Sequence, residues 1–315
     1  MKVLILAGGF ATRLWPLTEC RAKPLLLLDG KTILAHILEK VPAHAEIYLL
    51  TNQAFEQDFR KELDFLKRQN YKIFCEDAYS DGDKLGALKA ISVAITEFNI
   101  QENVFVLAGD NILPELDLSS LEVNEDEACL AVREVDSIHE AKKFGVVEEK
   151  NGEVVAFAEK PEEPKSKLVS TGFISIGKNL FDILHKFSTT SPDALGAIFP
   201  EFLQQEKRVL ATEVSGPWFD VGSFETYLEA HKTLQESNCK RQENVTESSN
   251  KFSGKVFLGK NAVIKNCKIL DSIIYPSVRL ENCHISQSVI DEGCHLRGLD
   301  LNRKLIRKGT TLVNN

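Results

Sequence analysis

The first residues able to do chemistry stand directly after a short apolar run: Leu6-Ala7-Gly8-Gly9-Phe10-Ala11-Thr12-Arg13-Leu14-Trp15-Pro16-Leu17-Thr18, followed by Lys23-Pro24. Adjacent glycines let the backbone turn sharply and present its N–H groups to a ligand. At the carboxyl end of a strand such a turn favours anions. Arg13 and Lys23 add fixed positive charge, so the segment suits the triphosphate of a nucleotide. Taken alone, a Gly-Gly turn is structural more often than functional. The spacing is neither GxxxxGK[ST] nor GxGxxG, which counts against ATPase and dehydrogenase chemistry.

These residues need a frame. Val3–Ala7 reads as a buried parallel strand, and Lys31–Val41 as a helix with Ile33, Leu34, Ile37, Leu38 and Val41 on one face. The alternation continues with a strand at Ile47–Thr51, a helix near Phe55–Lys67, a strand at Tyr71–Cys75, a helix over Leu85–Phe98 and a strand at Val104–Ala108. This pattern predicts an α/β fold, a Rossmann-like, mostly parallel sheet with helices on both faces. From about Glu127 the chain becomes richer in strands, and Asn151-Gly152 marks a hairpin between Gly145–Glu149 and Glu153–Ala158.

Beyond the polar stretch 235–251, aliphatic residues recur every five or six positions. Asn266–Glu281 aligns without gaps to Asn282–Arg297, matching at Asn, Cys, Ile, Ser, Ile and Leu. One coil of a parallel β-helix has about this length. The resulting division is a catalytic domain over 1–235, a linker over 236–252 and a short left-handed β-helix of two to three coils over 253–315. A small antiparallel sheet is the alternative for the tail.

Composition sets outer bounds. The 315 residues carry a net charge of -8, with 43% hydrophobic and 27% charged residues. That balance disfavours a broad basic face for nucleic acid or an anionic membrane. The apolar run at the start is too short for a signal peptide or a membrane span. Seven scattered cysteines without a CxxC pair suit reduced thiols in the cytoplasm.

LAGGFATRLWPLT followed by RAKPLL resembles the signature of the nucleotide-sugar pyrophosphorylases, the sugar-1-phosphate nucleotidyltransferases. LAGDN at Leu107–Asn111, FGVVE at Phe144–Glu148, EKPEEP at Glu159–Pro164, STGF at Ser170–Phe173 and WFDVGSFETYLEAH at Trp218–His231 follow in the family's order. The likeness runs from Met1 to about His231, and a β-helix tail is common in the family. It implies that Leu6, Ala7, Gly8, Gly9 and Gly86 contact the nucleotide, while Arg13 and Lys23 hold the triphosphate and act in catalysis. Asp110 and Asp220 would bind Mg2+. Gly145, Glu159, Lys160, Thr171 and Gly172 would bind the sugar phosphate. Each has a plainer reading, as a cap, a solvated turn or a bulge, and the resemblance decides between them. The match at Lys84-Leu85-Gly86-Ala87 is loose.

The implied reaction is transfer of a nucleotidyl group from a nucleoside triphosphate to a sugar 1-phosphate. The overall pattern looks closest to glucose-1-phosphate thymidylyl- and uridylyltransferases, so dTTP or UTP and glucose 1-phosphate are the expected substrates. A mannose-1-phosphate guanylyltransferase and a non-catalytic regulatory homologue that binds nucleotide sugar are the alternatives. An acyltransferase activity in the tail would need a longer β-helix and a catalytic histidine, and His284 and His295 read as outward-facing repeat positions. Subunit contact through the open β-helix end, and hence a homo-oligomer, is a simpler role. Ala11 replaces the family glycine, and we expect that position to need only a small side chain. Arg21 stands near the phosphate cations with no role that the sequence assigns.

Overall fold

The computed structural model describes residues 1–78, 82–190 and 193–314. The chain forms two compact units, both discontinuous: Met1–Gly9 with Leu34–Asp220, and Phe10–Ile33 with Val221–Asn315.

The first unit is built on a nine-stranded sheet. Its order is Tyr71–Glu76, Glu46–Asn52, Lys2–Leu6, Val104–Ala108, Leu168–Ile176, Glu127–Glu134, Arg208–Glu213, Glu153–Glu159 and Gly145–Lys150. The first four strands are parallel. Val3, Leu4 and Ile5 are fully buried, as a parallel strand covered on both faces requires. Beyond Val104–Ala108 the pairing is antiparallel, except where Arg208–Glu213 runs parallel to Glu127–Glu134. Helix Ala87–Glu97 turns Leu88, Ile91, Ala94 and Ile95 into a core shared with Phe199, Phe202 and Leu184. The hairpin turn falls at Asn151 (φ 55°) and Gly152 (φ 81°), the two positive dihedrals that a tight two-residue turn needs.

The second unit contains a parallel β-helix, and here two expectations are corrected. The stretch 236–252 is not a linker: Cys239–Arg241 and Thr246–Ser248 are strands that pair with Val256–Leu258 and Val263–Lys265. The helix is also longer than two to three coils. One face stacks Thr246–Ser248, Val263–Lys265, Arg279–Glu281, His295–Arg297 and Thr311–Val313 as five parallel rungs. The 16-residue repeat is the coil itself, since Ile269 pairs with Ile285 and Leu280 with Leu296. Those side chains are at most 1% exposed. Asn266 (φ 50°) and Asn282 (φ 53°) turn the corners in the left-handed region that asparagine tolerates, and the Asn266 amide donates to Asn282 Oδ1 at 2.7 Å. His284 and His295 face outward on exposed positions, as expected.

Residues 10–33 pack within this same unit. The Leu27 N–H donates to the Tyr275 hydroxyl at 2.9 Å, the two hydroxyls of Tyr275 and Tyr227 meet at 2.9 Å, and Tyr227 donates to the Leu27 carbonyl at 2.6 Å. Arg21 lies over the Tyr275 ring, 4.9 Å from its centroid, and pairs with buried Asp291 at 3.1 Å and Glu292 at 3.7 Å. A buried carboxylate needs such a partner, so Arg21 anchors the loop to the β-helix.

Ala11 corrects a further expectation. Its φ of 49° and ψ of 48° place it in the left-handed region, so the position calls for glycine-like backbone freedom and not merely a small side chain. The Ala11 carbonyl accepts from Thr18 Oγ1 at 2.9 Å and from the Leu14 N–H at 3.1 Å, and these bonds hold the strained residue in place.

Candidate active site

Two clefts of the sheet unit hold expected site residues. The first, about 680 Å3, is lined by both expected metal carboxylates, Asp110 and Asp220, together with Gly145, Glu159, Lys160, Thr171 and Gly172. All five expected sugar-phosphate residues thus share one wall system with the carboxylates.

The carboxylates are brought together by a two-stranded ladder. Asn111–Ile112 pairs antiparallel with Phe219–Asp220, which sets Asp220 opposite Asn111 and one residue from Asp110. The Asn111 side-chain amide donates to Asp110 Oδ1 at 2.9 Å, and the Trp218 indole N–H donates to Asn111 Oδ1 at 2.7 Å. Trp218 itself packs on Phe144, with ring centroids 4.9 Å apart. Among the described residues no group of three or more histidine, cysteine or acidic side chains is placed to hold a metal ion by itself. Two hard oxygen donors at a cleft mouth suit Mg2+, which keeps waters and takes phosphate oxygens as further ligands.

Strand geometry explains the rest of the cleft. Gly172 (φ 81°) lies in a register shift between Ser170 and Ile174, so it marks a bulge as well as lining the cleft. A side chain there would meet the Ala108 Cβ at 3.0 Å. Thr171 is turned away, its hydroxyl donating to the Ala131 carbonyl at 3.0 Å. Burial raises the pKa of Glu159, and Lys160, with Nζ 3.8 Å from that carboxylate, partly offsets the effect.

The second cleft, about 580 Å3, is lined by Leu6, Gly8, Gly9 and Gly86, four of the expected nucleotide residues. Ala7 lies beneath them, 3% exposed. The turn is clamped from the neighbouring strand: Thr51 Oγ1 donates to the Ala7 carbonyl at 3.4 Å, and Asn52 Nδ2 to the Gly8 carbonyl at 2.9 Å. Leu50, Phe74, Ala87 and Ala90 make the remaining walls largely apolar, with Glu76, Lys84 and Asp193 as charged groups. Arg13, exposed on the turn Thr12–Leu14, and Lys23, half-buried on Lys23–Leu25, belong to the other unit.

Sequence reasoning did not single out Asn111, Trp218 or Glu76. The first two lie inside motifs that were quoted for their aspartates. Glu76 ends a strand just before the loosely matched loop, where only a carboxylate closing an apolar strand could have signalled it.

Residues 2–237 match the nucleotidyl transferase family, and the chain belongs to it. It is 32% identical over 268 residues to the bifunctional protein GlmU of Methanocaldococcus jannaschii, covering 84% of this chain and 61% of that relative. The chain therefore spans only about three fifths of that relative's length. It is 30% identical to the UTP–glucose-1-phosphate uridylyltransferase AglF of Haloferax volcanii, over 77% of this chain and all of the relative. Among solved structures, a provisionally assigned glucose-1-phosphate thymidylyltransferase from Bacillus anthracis, in complex with sucrose, superposes with a TM-score of 0.66. That likeness has 23% identity over 76% of this chain and 96% of the other, and it establishes the shared fold. Among the described residues no helix is long and apolar enough to cross a membrane.

Proposed function

We propose that the protein transfers a nucleotidyl group from a nucleoside triphosphate to a sugar 1-phosphate, releasing pyrophosphate, with Mg2+ as cofactor. The observation that carries this reading is the gathering of Asp220, on the ladder opposite Asn111, and Asp110, one residue before that strand, in one cleft with Glu159 and Lys160. Mg2+ held by the two carboxylates would neutralise phosphate charge and favour pyrophosphate as a leaving group.

The chain's own groups position and neutralise. Lys160 meets the phosphate of the incoming sugar, and Glu159 accepts hydrogen bonds from its hydroxyls. Gly8 and Gly9 bring backbone N–H groups to the triphosphate, and Arg13 and Lys23 balance the charge on the departing pyrophosphate. A phosphate oxygen of the sugar 1-phosphate forms the new P–O bond at the α-phosphorus. The bridging α–β bond breaks, and its electron pair leaves with pyrophosphate. That sugar phosphate is already a dianion near neutral pH, so no general base is needed.

Glucose 1-phosphate is the first sugar to test and mannose 1-phosphate the second. Relatives by name include a uridylyltransferase and mannose-1-phosphate guanylyltransferases, so UTP, dTTP and GTP lead the test, and a guanine base needs a pocket that accepts two donors. A cytoplasmic, homo-oligomeric protein is the setting that fits this reading. The test is pyrophosphate release from purified protein over a grid of five nucleoside triphosphates and several sugar 1-phosphates. Release that requires both substrates and disappears with EDTA supports the transferase. Silence across the grid with nucleotide sugar still binding replaces it with the regulatory reading.

A further inference from the structure

The second cleft has the shape and chemistry of a site for a flat heteroaromatic ring: walls from Leu6, Leu50, Phe74, Ala87 and Ala90, with two carboxylates in the lining, the exposed Asp193, whose carboxylate lies 3.8 Å from Lys84 Nζ, and the buried Glu76. Glu76 is 7% exposed. Its Oε2 accepts from the Leu85 N–H at 2.8 Å, which fixes the carboxylate plane against the loop before helix Ala87–Glu97. Oε1 has no hydrogen-bond partner among the described residues and lies over the glycine turn. A Cβ on Gly8 would stand 2.8 Å from it, so the absent side chain at Gly8 makes room for this oxygen.

We infer that Glu76 reads the base of the nucleoside triphosphate and selects guanine. The inference rests on the nucleotidyltransferase reading and adds the base to it. An ionised carboxylate only accepts hydrogen bonds, and it keeps lone pairs on both oxygens even after the Leu85 bond is made. Guanine presents N1–H and N2–H2 side by side, two donors that match two acceptors. Uracil and thymine place a single N3–H between two carbonyl oxygens, so a carboxylate beside that edge faces a like partial charge. Adenine and cytosine each set a ring-nitrogen lone pair next to their amino group, with the same penalty.

Burial sharpens the choice. A buried acceptor left unpaired, or set against another acceptor, loses its hydration without replacement, so mismatches are penalised more than matches are rewarded. Desolvation raises the pKa of Glu76, and the Leu85 N–H and the charge of Lys84 pull it back toward the ionised form. The pyrimidine expectation came from overall likeness in sequence, and the chemistry of this carboxylate points the other way.

The test is equilibrium binding of GTP, ITP, UTP, dTTP, ATP and CTP to the full chain with Mg2+, followed by the same series on Glu76→Gln. The wild type should bind GTP at least tenfold tighter than UTP or dTTP. ITP, which lacks the N2 amine, should bind several-fold more weakly than GTP. Glutamine keeps an acceptor for the Leu85 N–H and adds a donor, which suits a pyrimidine carbonyl. Glu76→Gln should therefore lose tenfold or more for GTP and gain for UTP and dTTP. A wild type that prefers UTP or dTTP, or a Glu76→Gln variant with an unchanged GTP/UTP ratio, overturns the assignment while leaving the transferase reading intact. Failure of the wild type to bind any triphosphate sinks both. The ITP comparison needs no variant and so stands even if Glu76→Gln fails to fold.

Discussion

The Trp218 indole donates to the Asn111 side-chain carbonyl at 2.7 Å, and this bond orients the amide that donates in turn to Asp110. Groups behind a metal ligand fix its direction, and their loss commonly costs ten- to a hundredfold in metal affinity. Trp218→Phe keeps a ring against Phe144 but removes the donor. It should raise the Mg2+ concentration for half-maximal pyrophosphate release about tenfold, with a smaller change in the rate at saturating Mg2+. Titration of the initial rate with Mg2+ checks this, and an unchanged midpoint makes Trp218 a packing residue only.

Asp110→Asn, Asp220→Asn and Lys23→Ala each remove charge from the proposed phosphate site without removing core volume. Each should lower the rate about a thousandfold or more and leave the circular dichroism spectrum unchanged. A rate within tenfold of wild type for any one of them takes that residue out of the mechanism.

How much of this was legible can be judged residue by residue. The parallel strands showed because Val3–Ile5 and their neighbours are apolar at every position, which only burial on both faces explains. The coil showed because stacked rungs demand the same side chain every 16 residues, as at Ile269 and Ile285. The first coil did not show, because Cys239–Arg241 and Thr246–Ser248 bear mostly polar or exposed side chains and only their pairing reveals them. Ala11 was misread because residue type does not report a backbone dihedral. The partnership of Arg21 with Asp291 spans 270 positions, and no local pattern encodes it.

Alanine in the left-handed region costs about 1 kcal/mol relative to glycine. Ala11→Gly should therefore stabilise the protein by up to about that amount, less whatever the freer unfolded chain takes back. Urea unfolding of both proteins measures the difference. A destabilised Ala11→Gly would show that the strain is not borne in solution.

His231 gives the fold a pH dependence. It is fully buried, and neither ring nitrogen makes a hydrogen bond among the described residues, although the Lys255 backbone and the charges of Asp29, Asp271 and Lys232 lie nearby. Burial lowers its pKa from 6.5 to about 4. Between those values the unfolded chain binds the proton and the folded chain does not. Stability from this residue is therefore complete above pH 6.5 and falls as pH drops toward 4, by about 3 kcal/mol at most. His231→Leu should flatten that limb of the stability–pH curve, and chemical unfolding at pH 7 and pH 5 tests it. An identical slope in the variant assigns the acid sensitivity to other groups.

Residues 10–33 share a compact unit with residues 221–315, and this has a meaning for synthesis on the ribosome. Leu27 and Arg21, in the loop that carries Arg13 and Lys23, leave the exit tunnel 248 and 270 residues before their partners Tyr275 and Asp291. A nascent chain can pair its early strands while that loop still waits for an anchor. A message cut short before the final coils would then yield a protein with its sheet built and the loop that bears Arg13 and Lys23 untethered.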